Sequence, residues 1–142
     1  MKTSINGINL VKKHEGLRLT AYKDQGGVLT IGYGHIGPDV HVGTVWTQST
    51  ANEALVKDLV EAETAVNSLV TVKITQNQFD ALADFVYNLG VGAFTKSHLL
   101  QLINQCNNEA AVAQFAMWDH CCGVVNAGLL ARRNEEAALF VV

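Results

Sequence analysis

The chain is 142 residues long, 49% hydrophobic and 16% charged, with a formal net charge of −3. That length suits a single domain able to bury its own core, and the composition excludes a disordered chain. No apolar run reaches the roughly 20 residues a bilayer-spanning helix needs, so no stable membrane insertion is expected, and no basic stripe marks a nucleic-acid interface.

Residues 4–15 predict a short amphipathic helix. Leu10 and Val11 add apolar contacts, Thr3 or Ser4 can cap its start, and Gly16 is a stop. Its opening, MKTSINGINLVKKHEG, has no apolar h-region, so no secretory signal is expected. The runs LRLTAYKD and VLTIGYG are rich in β-branched and aromatic residues and are separated by Gln-Gly-Gly, which predicts a hairpin. Residues 36–46 contain the sole proline, Pro38, and read as loop or irregular strand.

From Thr47 the period becomes helical. Ala51, Leu55, Leu59, Ala62, Val66 and Leu69 fall on one apolar face. Thr75 to Gln78 matches a capping box, followed by Phe79, Leu82, Ala83, Val86 and Leu89 before Gly90. After a Gly-Val-Gly-Ala linker, residues 95–104, 108–118 and 126–140 each read as a short helix. The fold class is therefore α+β, with a sheet lobe over about 16–46, a connecting helix over about 47–70, and a helical lobe over about 71–142 that also takes in 1–15.

Charge is uneven along this order. Residues 1–35 hold five basic residues against two acidic ones, and residues 36–70 hold one against five. A positive opening stretch would suit an anionic substrate, and scattered lysines on a solvated helix end explain it equally well. Cys106, Cys121 and Cys122 are an odd set in a chain without a signal, which predicts reduced, partly buried thiols. Cysteine and His120 lack a familiar metal-ligand spacing, so no metal and no other cofactor is expected.

Gly32-Tyr-Gly34-His-Ile-Gly37 fits GxGxxG letter for letter. The pattern binds a pyrophosphate only where a strand feeds directly into a helix. Pro38 follows the third glycine and no helical period succeeds it, so these glycines read as backbone devices for a sharp turn. The carboxylates of the same stretch are more informative. Glu15 sits at a helix C-terminus, where the dipole disfavours a negative charge. Asp24 lies beside the hairpin turn, where Asp is ordinary chemistry. Together they suit glycosidic hydrolysis, which needs one carboxyl to donate a proton and a second, ionised one across the cleft. The Thr30 hydroxyl could orient water.

Glu15-Gly-Leu-Arg-Leu-Thr-Ala-Tyr-Lys-Asp24, ending in Thr30-Ile-Gly-Tyr-Gly-His35, resembles the signature of the phage-type lysozymes, or endolysins (glycoside hydrolase family 24). QNQFDALADFVYNLGVGAF resembles that family's central helix and following loop, and Gly128 to Glu136 its Gly-Leu…Arg-Arg…Glu element, so the resemblance covers nearly the whole chain. It implies a single lysozyme-like domain, a peptidoglycan substrate, and cleavage of the β-1,4 bond from N-acetylmuramic acid to N-acetylglucosamine with inversion. Glu15 maps to the general acid, Asp24 to the second carboxylate and Thr30 to the residue that places water. Ile36, Tyr87, Asn88 and Ser97 map to the sugar-binding cleft. Gly32 and Gly34 shape the turn, and His35 maps to a structural histidine that pairs with an acid of the connecting helix. Arg132 or Arg133 maps to an arginine that approaches Glu15.

The resemblance further implies a monomer that is held in the host cytoplasm and depends on a holin or another export route to reach the wall. A secreted antibacterial effector with the same chemistry, or a wall-binding protein without catalysis, are the competing functions; intact Glu15, Asp24 and Thr30 argue against the last. Two departures stand out. His120-Cys-Cys-Gly123 replaces small residues, and the acidic balance weakens long-range attraction to an anionic wall.

Overall fold

A computed structural model of the protein describes residues 1–121 and 123–142, so the expectation of a reduced thiol at Cys122 lies outside the described residues. Among them run α1 (Ile5–Glu15), β1 (Arg18–Lys23), β2 (Leu29–Gly32), α2 (Gln48–Leu69), α3 (Gln76–Leu89), α4 (Val91–Thr95), α5 (His98–Asn104), α6 (Asn108–Phe115), β3 (His120–Cys121), β4 (Val124–Val125) and α7 (Ala127–Phe140). They divide into two units, one of residues 9–60 and one of residues 1–8 and 61–142, with the divisions falling inside α1 and α2. No helix among the described residues is long and apolar enough to cross a membrane.

In the unit of residues 9–60, β1 and β2 pair antiparallel, with Tyr22 opposite Thr30, Lys23 opposite Leu29, and a register shift between Arg18 and Tyr22. The loop that follows returns along β1: Trp46 N–H donates to Leu19 O at 2.8 Å and Ala21 N–H to Thr44 O at 2.9 Å. Residues 36–46, expected as loop or irregular strand, thus supply a third run beside the hairpin. Val11, Ile31, Tyr33, Val40, Ala51, Leu55 and Leu59 are buried here. Arg18 stacks over the Tyr22 ring at 4.4 Å and Lys12 over Tyr33 at 5.2 Å, so part of the positive charge of the opening stretch is held on aromatic faces.

The other unit is built around α3, whose apolar face packs on α7. Phe79, Phe85, Phe94, Phe115 and Phe140 form the aromatic centre of its core, with edge-on or tilted ring pairs between 5.6 and 6.2 Å. Thr75 and Gln78 close the expected capping box on α3. Asp80, fully buried on α3, holds the start of α1: it accepts from Ser4 N at 2.9 Å, from Ser4 Oγ, and from Gln76 Nε2 at 2.8 Å.

Three expectations are corrected. The Gly-Val-Gly-Ala linker is helical in α4, because the fully buried Phe94 anchors a turn that two glycines alone would not favour. The helix expected over 95–104 starts only at His98, where Ser97 caps it, and the one expected over 108–118 stops at Phe115. His120–Cys121 and Val124–Val125 pair as a short hairpin, β3–β4, too brief to carry a period. Among the thiols, Cys106 is exposed rather than partly buried.

Cys106 also has φ +58°, the left-handed region. It ends α5 in a Schellman motif, with Cys106 N–H donating to Ile103 O at 2.9 Å and Asn107 N–H to Leu102 O at 2.9 Å. Glycine fits this position without the Cβ penalty. Cys106→Gly is therefore expected to stabilise the protein by about 0.5–1 kcal/mol after glycine's extra unfolded-state entropy is subtracted. A thermal melt checks this; an unchanged or lowered midpoint contradicts it.

Candidate active site

Helix α1 ends at Glu15, which is half-buried, and Gly16 N–H closes the helix on Lys12 O at 3.0 Å. The Glu15 carboxylate lies against Gly34. A Cβ built on Gly34 would stand 2.8 Å from Glu15 Oε2 and 3.3 Å from its Cδ. Gly34, at φ +83°, belongs to the loop Gly32-Tyr33-Gly34. Ile31 and His35 close that loop by exchanging both backbone hydrogen bonds at 2.9 Å. Gly32 lies under Trp46, which is 3.1 Å from its would-be Cβ.

Asp24 and Thr30 meet through the backbone of one residue, Val28. Asp24 Oδ1 accepts from Val28 N–H at 2.9 Å, and Thr30 Oγ1 donates to Val28 O at 3.0 Å. Asp24 N–H donates to the same carbonyl at 2.9 Å. Asp24 is exposed at the turn, whereas Thr30 is buried on β2. With its proton given to Val28, the Thr30 oxygen has lone pairs left to accept from a further donor.

His35 is gripped from both ring nitrogens. Nδ1 lies 2.7 Å from Asp58 Oδ2 on α2, and Nε2 lies 3.0 and 3.1 Å from the two oxygens of Asp39. Trp46 packs on the ring at 5.1 Å. Burial acts to lower the His35 pKa, but the hydrogen bonds to Asp39 and Asp58 prevail and raise it. Asp39, bonded to the imidazolium, titrates below the usual carboxylate range. Ile36, next in sequence, is 57% exposed.

The remaining expected residues belong to the unit that contains α3 and α7. Tyr87 and Asn88 are half-buried on α3. Ser97 is buried and serves as the N-cap of α5, its Oγ donating to Phe94 O at 2.7 Å and accepting from Leu100 N–H at 3.1 Å. Arg132 forms a bidentate pair with Asp84, Nε to Oδ2 at 2.9 Å and Nη2 to Oδ1 at 2.7 Å. Arg133 Nη2 donates to Glu136 Oε1 at 2.6 Å and to Asn88 Oδ1 at 3.0 Å, and its guanidinium covers the Phe85 ring at 5.1 Å. Burial works against ionisation of Asp84, yet Arg132 holds its pKa below the usual value. Burial, then the neighbouring Asp84, pushes Glu136 well above the usual carboxylate range.

Residues 12–136 match the family model described as phage lysozyme. The chain belongs to the phage lysozyme family. It is 45% identical over 142 residues to an endolysin of Bacillus phage PZA, covering 99% of this chain and 55% of that protein. It is 41% identical over 145 residues to the endolysin of Salmonella phage P22, covering 99% of each. The chain spans about half the length of the Bacillus phage relatives it matches. A solved structure of the muramidase domain of SpmX from Asticaccaulis excentricus is 37% identical and superimposes with a TM-score of 0.93 over 99% of this chain and 98% of that one. The lysozyme-like α+β fold expected from the sequence is borne out.

Several residues of this lysozyme fold escaped the sequence. Asp39 and Val28 take their roles from the turn and from backbone atoms, which no pattern reports. Asp80 and Asp84 left a readable signal, since two acids four apart on the apolar face of a helix require buried partners. Among the described residues no group of three or more His, Cys, Asp or Glu could hold a metal ion.

Two outcomes follow. The raised His35 pKa makes its pairs fully stabilising below the ordinary histidine value of 6.5, and that contribution is lost as pH rises through the higher folded value. Asp58→Asn should cost about 1–2 kcal/mol at pH 5.5 and little at alkaline pH. Asp39 is 58% exposed, so Asp39→Asn should cost under about 0.5 kcal/mol. Urea unfolding at two pH values, with an NMR titration of His35, checks both. In the α3–α7 core, Glu136→Gln retains a donor where a protonated carboxyl stands and should cost under about 1 kcal/mol, whereas Asp84→Asn strands Arg132 and should cost about 3–5 kcal/mol. The reverse order in urea unfolding would show Glu136 ionised.

Proposed function

We propose that this chain is a peptidoglycan hydrolase, an N-acetylmuramidase that cleaves the β-1,4 bond from N-acetylmuramic acid to N-acetylglucosamine in host-cell lysis. The carrying observation is the unlike setting of its two carboxyls. Glu15 is half-buried at a helix end against a glycine turn, while Asp24 is exposed at a hairpin turn and tied to Thr30 through the backbone of Val28. Hydrolysis of a glycoside needs that division of labour.

Glu15 protonates the glycosidic oxygen as the bond to the departing sugar breaks. Asp24, with Oδ1 engaged by Val28 N–H, keeps Oδ2 for the proton of an attacking water. Thr30 accepts the second hydrogen of that water, because its own proton is committed to Val28 O. Water then adds to the face opposite the leaving group, the anomeric centre inverts, and the electron pair of the broken bond stays with the leaving oxygen. On this reading the chain acts as an inverting enzyme of glycoside hydrolase family 24. Ile36, Tyr87 and Asn88 are read as saccharide contacts. Ser97 contributes as the cap that fixes α5. The enzyme acts as a monomer on the wall, after release from the host cytoplasm through a holin or another export route.

Glu15→Gln retains the shape and removes the proton. Release of reducing ends from purified peptidoglycan should fall by about 10²–10⁴-fold with an unchanged melting temperature. NMR of fresh product should show the α-anomer first. Undiminished release by the variant would sink the assignment, and an anhydro-muramic end in the fragments would replace hydrolysis with transglycosylation.

A further inference from the structure

We propose that Arg18, stacked on Tyr22, binds a carboxylate of the peptide that muramic acid carries and so helps to seat the substrate beside Thr30. This rests on the peptidoglycan reading above. Tyr22 and Thr30 stand directly opposite in the antiparallel pair, so their side chains leave the same face of the hairpin. Arg18, at the start of β1, reaches along that face and lays its guanidinium carbon 4.4 Å from the centre of the Tyr22 ring. Arg18 is exposed, and among the described residues no carboxylate pairs with it and no hydrogen bond engages its guanidinium. The stack covers one flat side of the group and leaves its N–H donors in the plane, where they form a fork. A carboxylate fits that fork with two parallel hydrogen bonds. Because the ring already holds the guanidinium, less freedom is lost when a ligand arrives. The sugars cannot be that ligand's charge. The muramic carboxyl is joined to the peptide, so the glycan is uncharged and the carboxylates lie on the peptide. The reacting bond cannot use the cation either, since glycoside hydrolysis builds positive charge at the anomeric carbon, which a nearby cation repels. Arg18 therefore acts on a charge that the substrate carries before and during reaction, and its effect belongs in KM rather than in kcat.

Two substrates and two variants test this. The substrates are purified peptidoglycan and the same material with its carboxylates amidated by carbodiimide and methylamine, which removes the charge and keeps the peptide. For the unaltered protein, amidation should raise KM about 3- to 10-fold, the scale of one charge-assisted pair at an exposed site. In Arg18→Gln the same treatment should change KM less than about twofold. On untreated peptidoglycan Arg18→Gln should itself raise KM about 3- to 10-fold with kcat within about twofold. Arg18→Lys should recover less than half of that loss, because an ammonium keeps the charge and lacks the fork. A KM of the unaltered protein that ignores amidation overturns the proposal without any variant. So does a rise in Arg18→Gln that is equally large on amidated material, as a sugar contact or a residual wall phosphate would give, and so does a fall in kcat at constant KM. Should the unaltered protein release no reducing ends, the hydrolase reading falls. Co-sedimentation with the two substrates then decides the role of Arg18, through the same comparison made on Kd.

Discussion

The turn between Ile31 and His35 is the constraint on which the candidate site depends. Its two backbone hydrogen bonds close a loop of only three residues, and so short a loop has few alternatives once its ends are fixed. The ends are fixed by unlike means. Ile31 is secured by burial of an aliphatic side chain, and His35 by charge-assisted hydrogen bonds to a carboxylate on each side. Asp58, on α2, matters more than Asp39, because the latter is largely solvated and its attraction is screened. The result is a rigid wall of backbone next to Glu15, made from residues that take no part in bond cleavage.

The unit built on α3 and α7 solves a different problem with the same chemistry. Two guanidinium groups and two carboxyls are sealed in its core, where an isolated charge would be prohibitive. The bidentate geometry of Arg132 on Asp84 compensates one pair directly. Burial and the neighbouring Asp84 raise the Glu136 pKa, which favours its neutral form over a second anion there. Arg133 spreads its charge over the Phe85 face, Asn88 and Glu136. Such a cluster adds little stability over an apolar core of equal volume, but it punishes every misregistered packing of α7 on α3.

How much of this was legible follows from the range of each interaction. Helix α2 was readable because 22 residues repeat one period, and α3 because Thr75 and Gln78 are a local pair. Helix α4 was not, because its stability comes from Phe94 in the core and its own letters, Val-Gly-Ala, argue for a linker. The β3–β4 hairpin has two residues per strand, below the length at which alternation means anything. At the site, Glu15, Asp24 and Thr30 were each unremarkable by residue type and were singled out by a family pattern. Their geometry was not legible: Val28 acts through its peptide alone, and His35 finds Asp58 across 23 positions.

The same physics explains why the two carboxyls sit in the kinds of place they do. Glu15 stands at a helix C-terminus, where the dipole presents its negative end. A hairpin turn does the reverse, because its free N–H groups seek acceptors, and Asp24 receives Val28 N–H as an Asp in a turn ordinarily does. The carbonyl of the same residue is also used, by Thr30. Val28 thus donates to Asp24 through one peptide and accepts the Thr30 hydroxyl proton through the next. The unlike settings of the two carboxyls thus arise from where a helix ends and how a hairpin turns.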